Sequence, residues 1–316
     1  MNHQYRTIPA WKVIGGFGSH IKATREIITI QHKGKTTEIS IAELDHLLII
    51  GGHTIQTSAI NTLLHAGVFI SFFDSEGEPL GFIEPYGYKW RQQIQELREK
   101  TTPFSYALIC AKSATFSRLL IIEEWNEQIP GGFLMSGELD ILTRAVKELD
   151  NLIKIEEIRR IDRLVGDMYY EIMSRKIDPS LGFKRRTPRP YRDPVNTMLS
   201  LGYAMLNGAC TQALIGVHCD PDDGFLNRGK RSLTQDLINC WKTRMVDETV
   251  IRILNNGIIT SDMYECSETR CILAEALLAE IIPLFQQNIR QDIITMQVEQ
   301  LARSLSGEEP FQIIRF

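Results

Sequence analysis

The spacing of hydrophobic and polar positions changes once along the chain. Over residues 1–88, stretches such as "EIITIQH" and "TTEISIAE" alternate apolar and polar side chains, and the "KGK" between them is typical of a hairpin turn. The apolar runs "HLLII" and "VFISFF" predict buried strands. Between them, "TIQTSAINTLLHAG" has helical spacing, with Thr54 as the N-cap and Gly67 at the end. This part therefore predicts a small, sandwich-like β domain with one helix.

From about residue 96 onward, apolar residues recur at helical spacing. The predicted helices cover residues 103–127, 137–150, 152–175, 194–217, 233–255 and 268–304, the last of them broken near Pro283. We predict an α+β chain, with a β domain at 1–88, a linker at 89–102 and an all-α domain at 103–316. A length of 316 residues also favours two domains.

Composition is that of an ordinary globular protein, with 43% hydrophobic and 23% charged residues. The apolar runs, such as "ALLAEIIPLF" at 276–285, are too short and interrupted to predict a membrane span, and the N-terminus has no secretory pattern. We therefore expect a cytoplasmic protein. Six cysteines without a CxxC pair predict buried free thiols rather than disulfides or zinc ligands, at positions 110, 210, 219, 240, 266 and 271.

Positive charge is concentrated in two loops, although the net charge is −4. The loop cations are Lys184, Arg185, Arg186, Arg189 and Arg192 in "KRRTPRPYR", and Arg228, Lys230 and Arg231 in "RGKR". Salt screens the interaction between exposed charges beyond about 8–10 Å, so a local basic cluster can bind phosphates even on an acidic protein. Asp193 and Pro194 predict a helix start beside the first cluster, which also suits phosphate. The alternative is a pair of solvated basic loops.

One carboxylate is predicted to face the core. In helix 152–175, Asp162 lies on one stripe with Ile158, Val165, Tyr169 and Ile172. Apart from Asp162, this stripe is apolar or aromatic. Such a carboxylate costs several kcal/mol unless it is paired or ligated. Two interpretations follow: a ligand position in a cleft, or a salt bridge to an arginine of a neighbouring helix.

The stretch "DDGFLNRGKRSLTQDLINCW", residues 222–241, predicts a turn, a basic loop and a helix start. Ser232 and Gln235 are predicted to form a capping box, with Asp236 in the first turn of the helix. This arrangement can direct oxygen and nitrogen ligands at a metal beside a phosphate. The aspartates of "DPDDG" at 220–224 are attributed to turn formation rather than to an independent metal site.

Several ordered motifs together resemble one known family. They are "FKRRTPRPYRDPVNTMLSLGYAML" (183–206), "GFLNRGKRSLTQDL" (224–237), "RMVD" (244–247) and "GGHTIQTSAINTLLHAGVFISFFDSEGEPLGFIEP" (51–85). The chain resembles, over essentially its whole length, the CRISPR adaptation integrase and endonuclease, the first-numbered of the CRISPR-associated (Cas) proteins.

The resemblance implies a β domain joined to a helical catalytic domain, and a homodimer formed mainly by the β domains. It also implies DNA and the small dimeric second-numbered Cas protein as partners. The implied activity is the insertion of fragments of invading DNA into a CRISPR array by metal-dependent transesterification, with Mg²⁺ or Mn²⁺.

The same resemblance assigns the metal-ligand positions, and this chain departs from the family there. The family glutamate falls on Asp162 and the histidine on Asn227, whereas the acidic residues of the family's D-L-x-E fall on Asp236 and Asn239. The shorter aspartate retracts one carboxylate, and asparagine offers only a neutral amide oxygen. The expected chemistry is therefore weakened or lost.

Two functions follow from these positions. One is an integrase and endonuclease that uses Asp162 and Asp236, helped by Asn227, Asn239 or the aspartates at 222 and 223. The other is a catalytically inactive DNA-binding homologue, acting as a scaffold or as a partner in a mixed dimer.

Overall fold

The structure, a computed structural model, describes residues 9–87 and 90–314, with the side chains of 90–93 left aside. Contacts divide the chain into two compact units. The first unit contains the described residues up to Thr101, together with Gly208–Pro221 and Ile294–Gln312. The second contains Thr102–Asn207, Asp222–Ile293 and the described residues after 312. Each unit thus combines segments that are distant in sequence.

The strands of the first unit form two four-stranded sheets. The elements in chain order are β1 (Trp11–Gly15), β2 (His20–Ala23), β3 (Ile27–His32), β4 (Lys35–Ser40), β5 (His46–Ile50), β6 (Thr54–Ile55), α1 (Thr57–His65), β7 (Phe69–Phe73) and β8 (Pro79–Ile83). One sheet has the order β1-β5-β7-β8 and the other β4-β3-β2-β6. The predicted N-terminal β region with one helix is confirmed.

Local sequence explains why these strands pair as they do. Lys33 and Gly34 both have positive φ, 47° and 77°, so they connect β3 and β4 by the tight hairpin that "KGK" predicts. The central strand β5 pairs in parallel with both β1 and β7, and its apolar run is buried almost throughout. Helix α1 differs at its start, because Thr54 lies in β6 and Gln56 takes the N-cap.

Helices dominate the rest of the chain. They are α2 (Trp90–Lys100), α3 (Pro103–Glu127), α4 (Glu138–Leu149), α5 (Ile155–Ser174), α6 (Pro194–Gly216), α7 (Ser232–Ile238), α8 (Glu248–Asn255), α9 (Glu275–Asn288) and α10 (Gln291–Leu305). The segment predicted as a linker thus contains α2. The α+β class is confirmed, since strands come first and helices follow.

Helix α3 is the central helix of the second unit and packs against α4 and α5. By length and composition alone it could cross a membrane, which the sequence prediction missed. However, 61% of its most apolar window is buried inside the protein, as in the core helix of a soluble protein. Its burial explains the near-uniform apolar sequence, because neighbouring helices cover it on several sides.

Two predicted continuous helices are each divided into two helices in the structure. The segment 233–255 forms α7 and α8, separated by a break and a π-helical turn at Thr243–Asp247. The segment 268–304 contains α9 and α10 and begins with a strand of a small hairpin, β9 (Tyr264–Cys266) with β10 (Cys271–Leu273). Pro283 lies within α9, so the chain breaks at Ile289 rather than at the proline.

The cysteine prediction was correct at four positions and wrong at two. Cys266 and Cys271 stand opposite each other in the β9–β10 hairpin and form a disulfide, although their spacing gave no sign of one. The other four cysteines are buried free thiols, as predicted, at 110, 210, 219 and 240.

Candidate functional site

Asp236 holds the loop that precedes its own helix. Its Oδ2 accepts hydrogen bonds from the backbone N–H of Phe225 (2.6 Å) and Leu226 (2.9 Å). Its Oδ1 accepts from the backbone N–H of Asn227 (2.8 Å) and from the Asn227 side-chain amide (2.7 Å). Burial raises the pKa of Asp236, and these hydrogen bonds partly offset the rise. Four donors fill the acceptor sites of one carboxylate, which leaves little for a metal.

The start of α7 differs from the predicted capping box. Arg231 takes the N-cap position with φ 58°, so Ser232 is already helical and Asp236 lies beyond the first turn. The Ser232 hydroxyl instead bonds the turn, donating to the carbonyl of Asp222 and accepting from the N–H of Gly224 at 2.9 Å. A Cβ on Gly224 would lie 2.7 Å from Ser232, which is too close for any side chain. The turn can therefore pack this closely against the helix only because residue 224 is glycine.

Asp162 is paired with an arginine of the neighbouring helix α3. Arg118 donates to Asp162 Oδ1 at 2.7 Å, and its side chain is 3% exposed against 17% for Asp162. The salt-bridge interpretation of this position is therefore confirmed. Gly166, one turn along α5, leaves room for the guanidinium, whose nitrogens would lie 3.9–4.0 Å from a Cβ built there.

Asn239 occupies the break after α7. Its Oδ1 accepts a hydrogen bond from Lys242 Nζ at 2.8 Å. The ammonium also lies 5.9 Å from the ring centre of Tyr170 and 5.6 Å from that of Tyr203. Burial lowers the pKa of Lys242 to about 8, with a further contribution from Arg118. The lysine side chain thus lies where the amide oxygen of Asn239 would have to bind a metal.

These contacts decide whether the four family ligand positions fit a divalent ion. Asp162 is neutralised by Arg118, Asp236 is saturated by N–H donors, and the Asn239 oxygen is bonded to Lys242. The Asn227 amide points its N–H at Asp236. Among residues 9–87 and 90–314, no group of three or more His, Cys, Asp or Glu side chains could hold a metal. Mg²⁺ and Mn²⁺ prefer several charged oxygens, and two of these four positions, Asn227 and Asn239, carry neutral amides instead.

A buried tyrosine–carboxylate network supports this region. Asp247 ends the π-helical turn, and its carboxylate accepts hydrogen bonds from the hydroxyls of Tyr169 (2.8 Å) and Tyr203. Tyr170 and Tyr203 share a further hydroxyl hydrogen bond of 2.8 Å. Burial raises the pKa of Asp247 above its usual value, although hydrogen bonds and nearby cations oppose the rise. Single π-helical turns within helices are frequent at functional sites.

The first predicted basic cluster forms a loop around a surface cavity of about 420 Å³. We call residues 182–193 the arginine–proline loop. Four exposed cations line its cavity: Lys184, Arg185, Arg189 and Arg192. Asp193 caps α6 as predicted, accepting from the N–H of Asn196 at 2.7 Å, and Pro194 is the first helical residue. The N-terminus of α6 therefore lies beside these cations.

Arg186 behaves differently from the other cations of the loop. It donates to Asn196 Oδ1 (2.7 Å) and to Ser200 Oγ (2.6 Å), so it anchors the loop to α6. Its guanidinium also lies over the rings of Tyr191 and Tyr203, 5.1 and 5.4 Å from their centres. Arg186 is half-buried and anchors the loop through these contacts, and its predicted contact with DNA stays a prediction.

The second basic cluster is open to solvent. Arg228 and Lys230 are exposed and Arg231 is half-buried, with its N–H bonded to Asp222 Oδ1 at 2.6 Å. Arg228 reaches Glu156 on α5 only at 3.5 Å, a weak surface contact that leaves the guanidinium accessible. The Arg228 guanidinium can therefore meet a phosphate without first breaking a strong ion pair.

Comparison with known proteins identifies the fold and the family. The family described as "CRISPR associated protein Cas1" matches residues 13–287. The chain belongs to the Cas1 family. It is 53% identical, over 96% of its length and all of the relative, to a protein of Methanospirillum hungatei named as CRISPR-associated endonuclease Cas1 2. A second Cas1 of the same organism is 26% identical over 96% of the chain and 98% of the relative.

Solved structures share the fold of this Cas1 family member. A casposase bound to its integration product superposes with a TM-score of 0.78 at 18% identity, covering 96% of this chain and 97% of the other. A CAS1 protein from Thermotoga maritima gives a TM-score of 0.72 at 18% identity, covering 98% and 100%. At such identities the likeness concerns the fold alone.

Sequence reasoning missed the two cations that contact the positions assigned as metal ligands by the resemblance. Arg118 interrupts the apolar run "ATFSRLLII" of α3, and a charge in a core helix is a signal for a buried partner. Lys242 follows Asn239 by three residues, a spacing that brings side chains together on a helical turn. Both signals were present in the sequence.

Proposed function

We propose that this chain acts in CRISPR adaptation as a DNA-binding member of the Cas1 family, with little or no metal-dependent chemistry of its own. The observation that carries the proposal is a contrast within one unit. Asp162, Asp236 and Asn239 accept hydrogen bonds from protein donors, whereas the exposed cations of the arginine–proline loop surround an open cavity.

DNA is the ligand that this surface fits best. Arginine and lysine side chains and a helix N-terminus are the groups that bind backbone phosphates. Among proteins of the same fold, one solved chain is a Cas1 from a DNA complex and another a casposase bound to an integration product. We infer that both basic clusters contact the DNA backbone, through Lys184, Arg185, Arg189, Arg192, Arg228, Lys230 and Arg231.

Protein partners are inferred from the same comparisons. A chain from a Cas6-RT-Cas1–Cas2 complex shares the fold with a TM-score of 0.71. We infer a Cas2-type partner for this chain, a homodimer formed mainly by the β domain of residues 1–88, and a cytoplasmic location. The helical region after the predicted linker would then carry the DNA.

The alternative is a working integrase and endonuclease that uses Mg²⁺ or Mn²⁺. A divalent ion would have to displace Arg118 from Asp162 and Lys242 from Asn239, which the present donor set opposes. Since four N–H donors saturate Asp236, Asp162 would be the one carboxylate open to an ion that is usually held by one or two of them. We therefore favour the DNA-binding function.

A cleavage and integration assay separates the two functions. Supercoiled DNA carrying a CRISPR repeat and a short duplex fragment would be incubated with the protein in Mg²⁺ and in Mn²⁺. We expect DNA binding but little or no product in Mg²⁺, with Mn²⁺ the more favourable ion. Robust product in Mg²⁺ that disappears in Asp162→Asn would contradict the proposal and make the asparagines working ligands. Asp236→Ala is an unsuitable control because it removes loop contacts as well.

A further inference from the structure

Two cationic side chains contact the family's ligand positions. Arg118 Nη1 lies 2.7 Å from Asp162 Oδ1, and Lys242 Nζ lies 2.8 Å from Asn239 Oδ1. Together they carry the charge of one divalent ion. They differ in the charge that each can offer to a further ligand, because Arg118 is 2% exposed and paired with a carboxylate. Its charge is therefore already neutralised.

Lys242 keeps donors for a further ligand. An ammonium has three N–H donors, and in the part of the chain that the structure describes one hydrogen bond is recorded for it, to a neutral amide oxygen. The residue as a whole is half-buried, although the ammonium group itself lies deep enough for burial to lower its pKa. The rings of Tyr170 and Tyr203 lie beside it. The residue thus presents a positively charged donor from a partly apolar setting, where charge-assisted hydrogen bonds are strong.

The position of Lys242 is continuous with the arginine–proline loop. Tyr203 has the Lys242 ammonium 5.6 Å and the Arg186 guanidinium 5.4 Å from its ring centre. Arg186 is itself tied to the start of α6, where the exposed cations of the loop surround the cavity. Lys242 therefore contacts the same tyrosine ring as Arg186, the residue that anchors the cation-lined loop.

We infer that Lys242 binds a backbone phosphate of DNA directly, in the place where other members of this fold would use a divalent ion. This inference rests on the proposed DNA-binding function and adds a defined phosphate contact that needs no metal. The contact involves no covalent step. Its alternative is a purely structural lysine that only balances the charges of Asp162 and Asp247.

The test compares DNA affinity with and without divalent ions. A fluorescein-labelled duplex with single-stranded ends would be titrated by fluorescence anisotropy in EDTA, in Mg²⁺ and in Mn²⁺, at matched ionic strength and over a range of salt. The variants are Lys242→Met, which removes the charge, Lys242→Arg, which keeps it, and Lys147→Met, an exposed lysine of α4 as a matched control. Circular dichroism checks that each variant folds.

We expect the unmodified chain to bind equally well in EDTA and in divalent ions. Lys242→Met should weaken binding about ten-fold, as expected for a hydrogen bond to a charged group. It should also reduce the slope of log affinity against log salt by about 0.9. Lys242→Arg should largely restore both quantities, and Lys147→Met should change neither. A purely structural lysine would not alter the salt slope.

Three results would overturn the inference. They are binding that requires Mg²⁺ or Mn²⁺, unchanged affinity and slope in Lys242→Met, and Mn²⁺ bound at sub-millimolar concentration in an electron paramagnetic resonance titration of the unmodified chain. The last measurement needs no variant and stands even if Lys242→Met and Lys242→Arg fail to fold. Absence of DNA binding under every condition would instead remove the proposed function, and this inference with it.

Discussion

Replacing Asp236 should destabilise the fold, whatever its relation to metal. The carboxylate is 1% exposed and accepts three backbone N–H groups and one amide from residues 225–227. The loop is fixed at its other face by Phe225, whose ring stacks on Tyr106 of α3 at 4.5 Å. Asp236→Ala therefore leaves donors that the packed loop cannot turn toward water.

The magnitude follows from those donors. Each buried N–H without an acceptor costs about 1–3 kcal/mol. The fully buried N–H groups of Phe225 and Leu226 set the scale, whereas Asn227 is half-buried and can regain water. Burying the Asp236 charge is unfavourable, as its raised pKa shows, and the variant no longer buries that charge. This gain makes the loss of unfolding free energy smaller. We expect the free energy of unfolding to fall by about 3 kcal/mol.

Urea unfolding followed by far-ultraviolet circular dichroism measures this change. The matched control is Asp167→Ala, an exposed aspartate of α5 that should shift stability by less than about 0.5 kcal/mol. The loss in Asp236→Ala should be the same in EDTA and in Mg²⁺. A loss below about 1 kcal/mol, or one that exists only relative to a Mg²⁺-stabilised reference protein, would refute the reasoning and restore Asp236 as a metal ligand.

Four further predictions follow. Charge removal at the four exposed cations of the arginine–proline loop should reduce the salt slope of DNA binding by about 0.9 for each lost phosphate contact; a salt-independent affinity would contradict this. Light scattering should show a homodimer that Phe82→Asp, on the exposed edge strand β8, converts to monomer; a stable monomer of the unmodified chain at micromolar concentration would argue against it. Asp162→Glu, Asn227→His and Asn239→Glu together should raise Mn²⁺ affinity in calorimetry, and each alone should do little because ligands act as a unit. The pKa of Asp247 is raised in the folded chain, so its contribution to stability is full at acidic pH and falls as pH rises through that pKa. The stability of Asp247→Asn relative to the unmodified chain should therefore increase from pH about 4 to neutrality. A constant difference in urea midpoints would contradict this.

Hydrophobic spacing predicted most of the architecture because burial sets it. The alternating strands and the amphipathic helices α4 and α5 follow from apolar periodicity that the local sequence contains directly. The errors lie where tertiary contacts decide. The β9–β10 hairpin is only three residues per strand, and the N–H of Cys271 bonds to the carbonyl of Tyr191, 80 residues before it in sequence. No local pattern encodes such a contact.

The candidate site shows the same limit more sharply. The resemblance assigned the four ligand positions, but their state depends on hydrogen-bond partners that the resemblance does not name. Arg118 lies 44 residues from Asp162, and the break after α7 brings Lys242 onto Asn239. The predicted capping box failed for a related reason, since the Ser232 hydroxyl found a closer partner in the turn at Asp222. The Ser232 hydroxyl thus forms hydrogen bonds with the preceding turn instead of capping its own helix.

The two acidic residues that persist at the family's ligand positions have different physical reasons to be there. Asp236 supplies acceptors for three successive backbone N–H groups, and no neutral side chain of its length offers two oxygens for that purpose. Asp162 balances Arg118, a buried charge that would cost several kcal/mol alone. Both carboxylates are thus required by the fold, even if no metal binds. Their presence therefore supports the family assignment without supporting catalysis, and a test of metal chemistry has to change the asparagines and the cations that contact these positions.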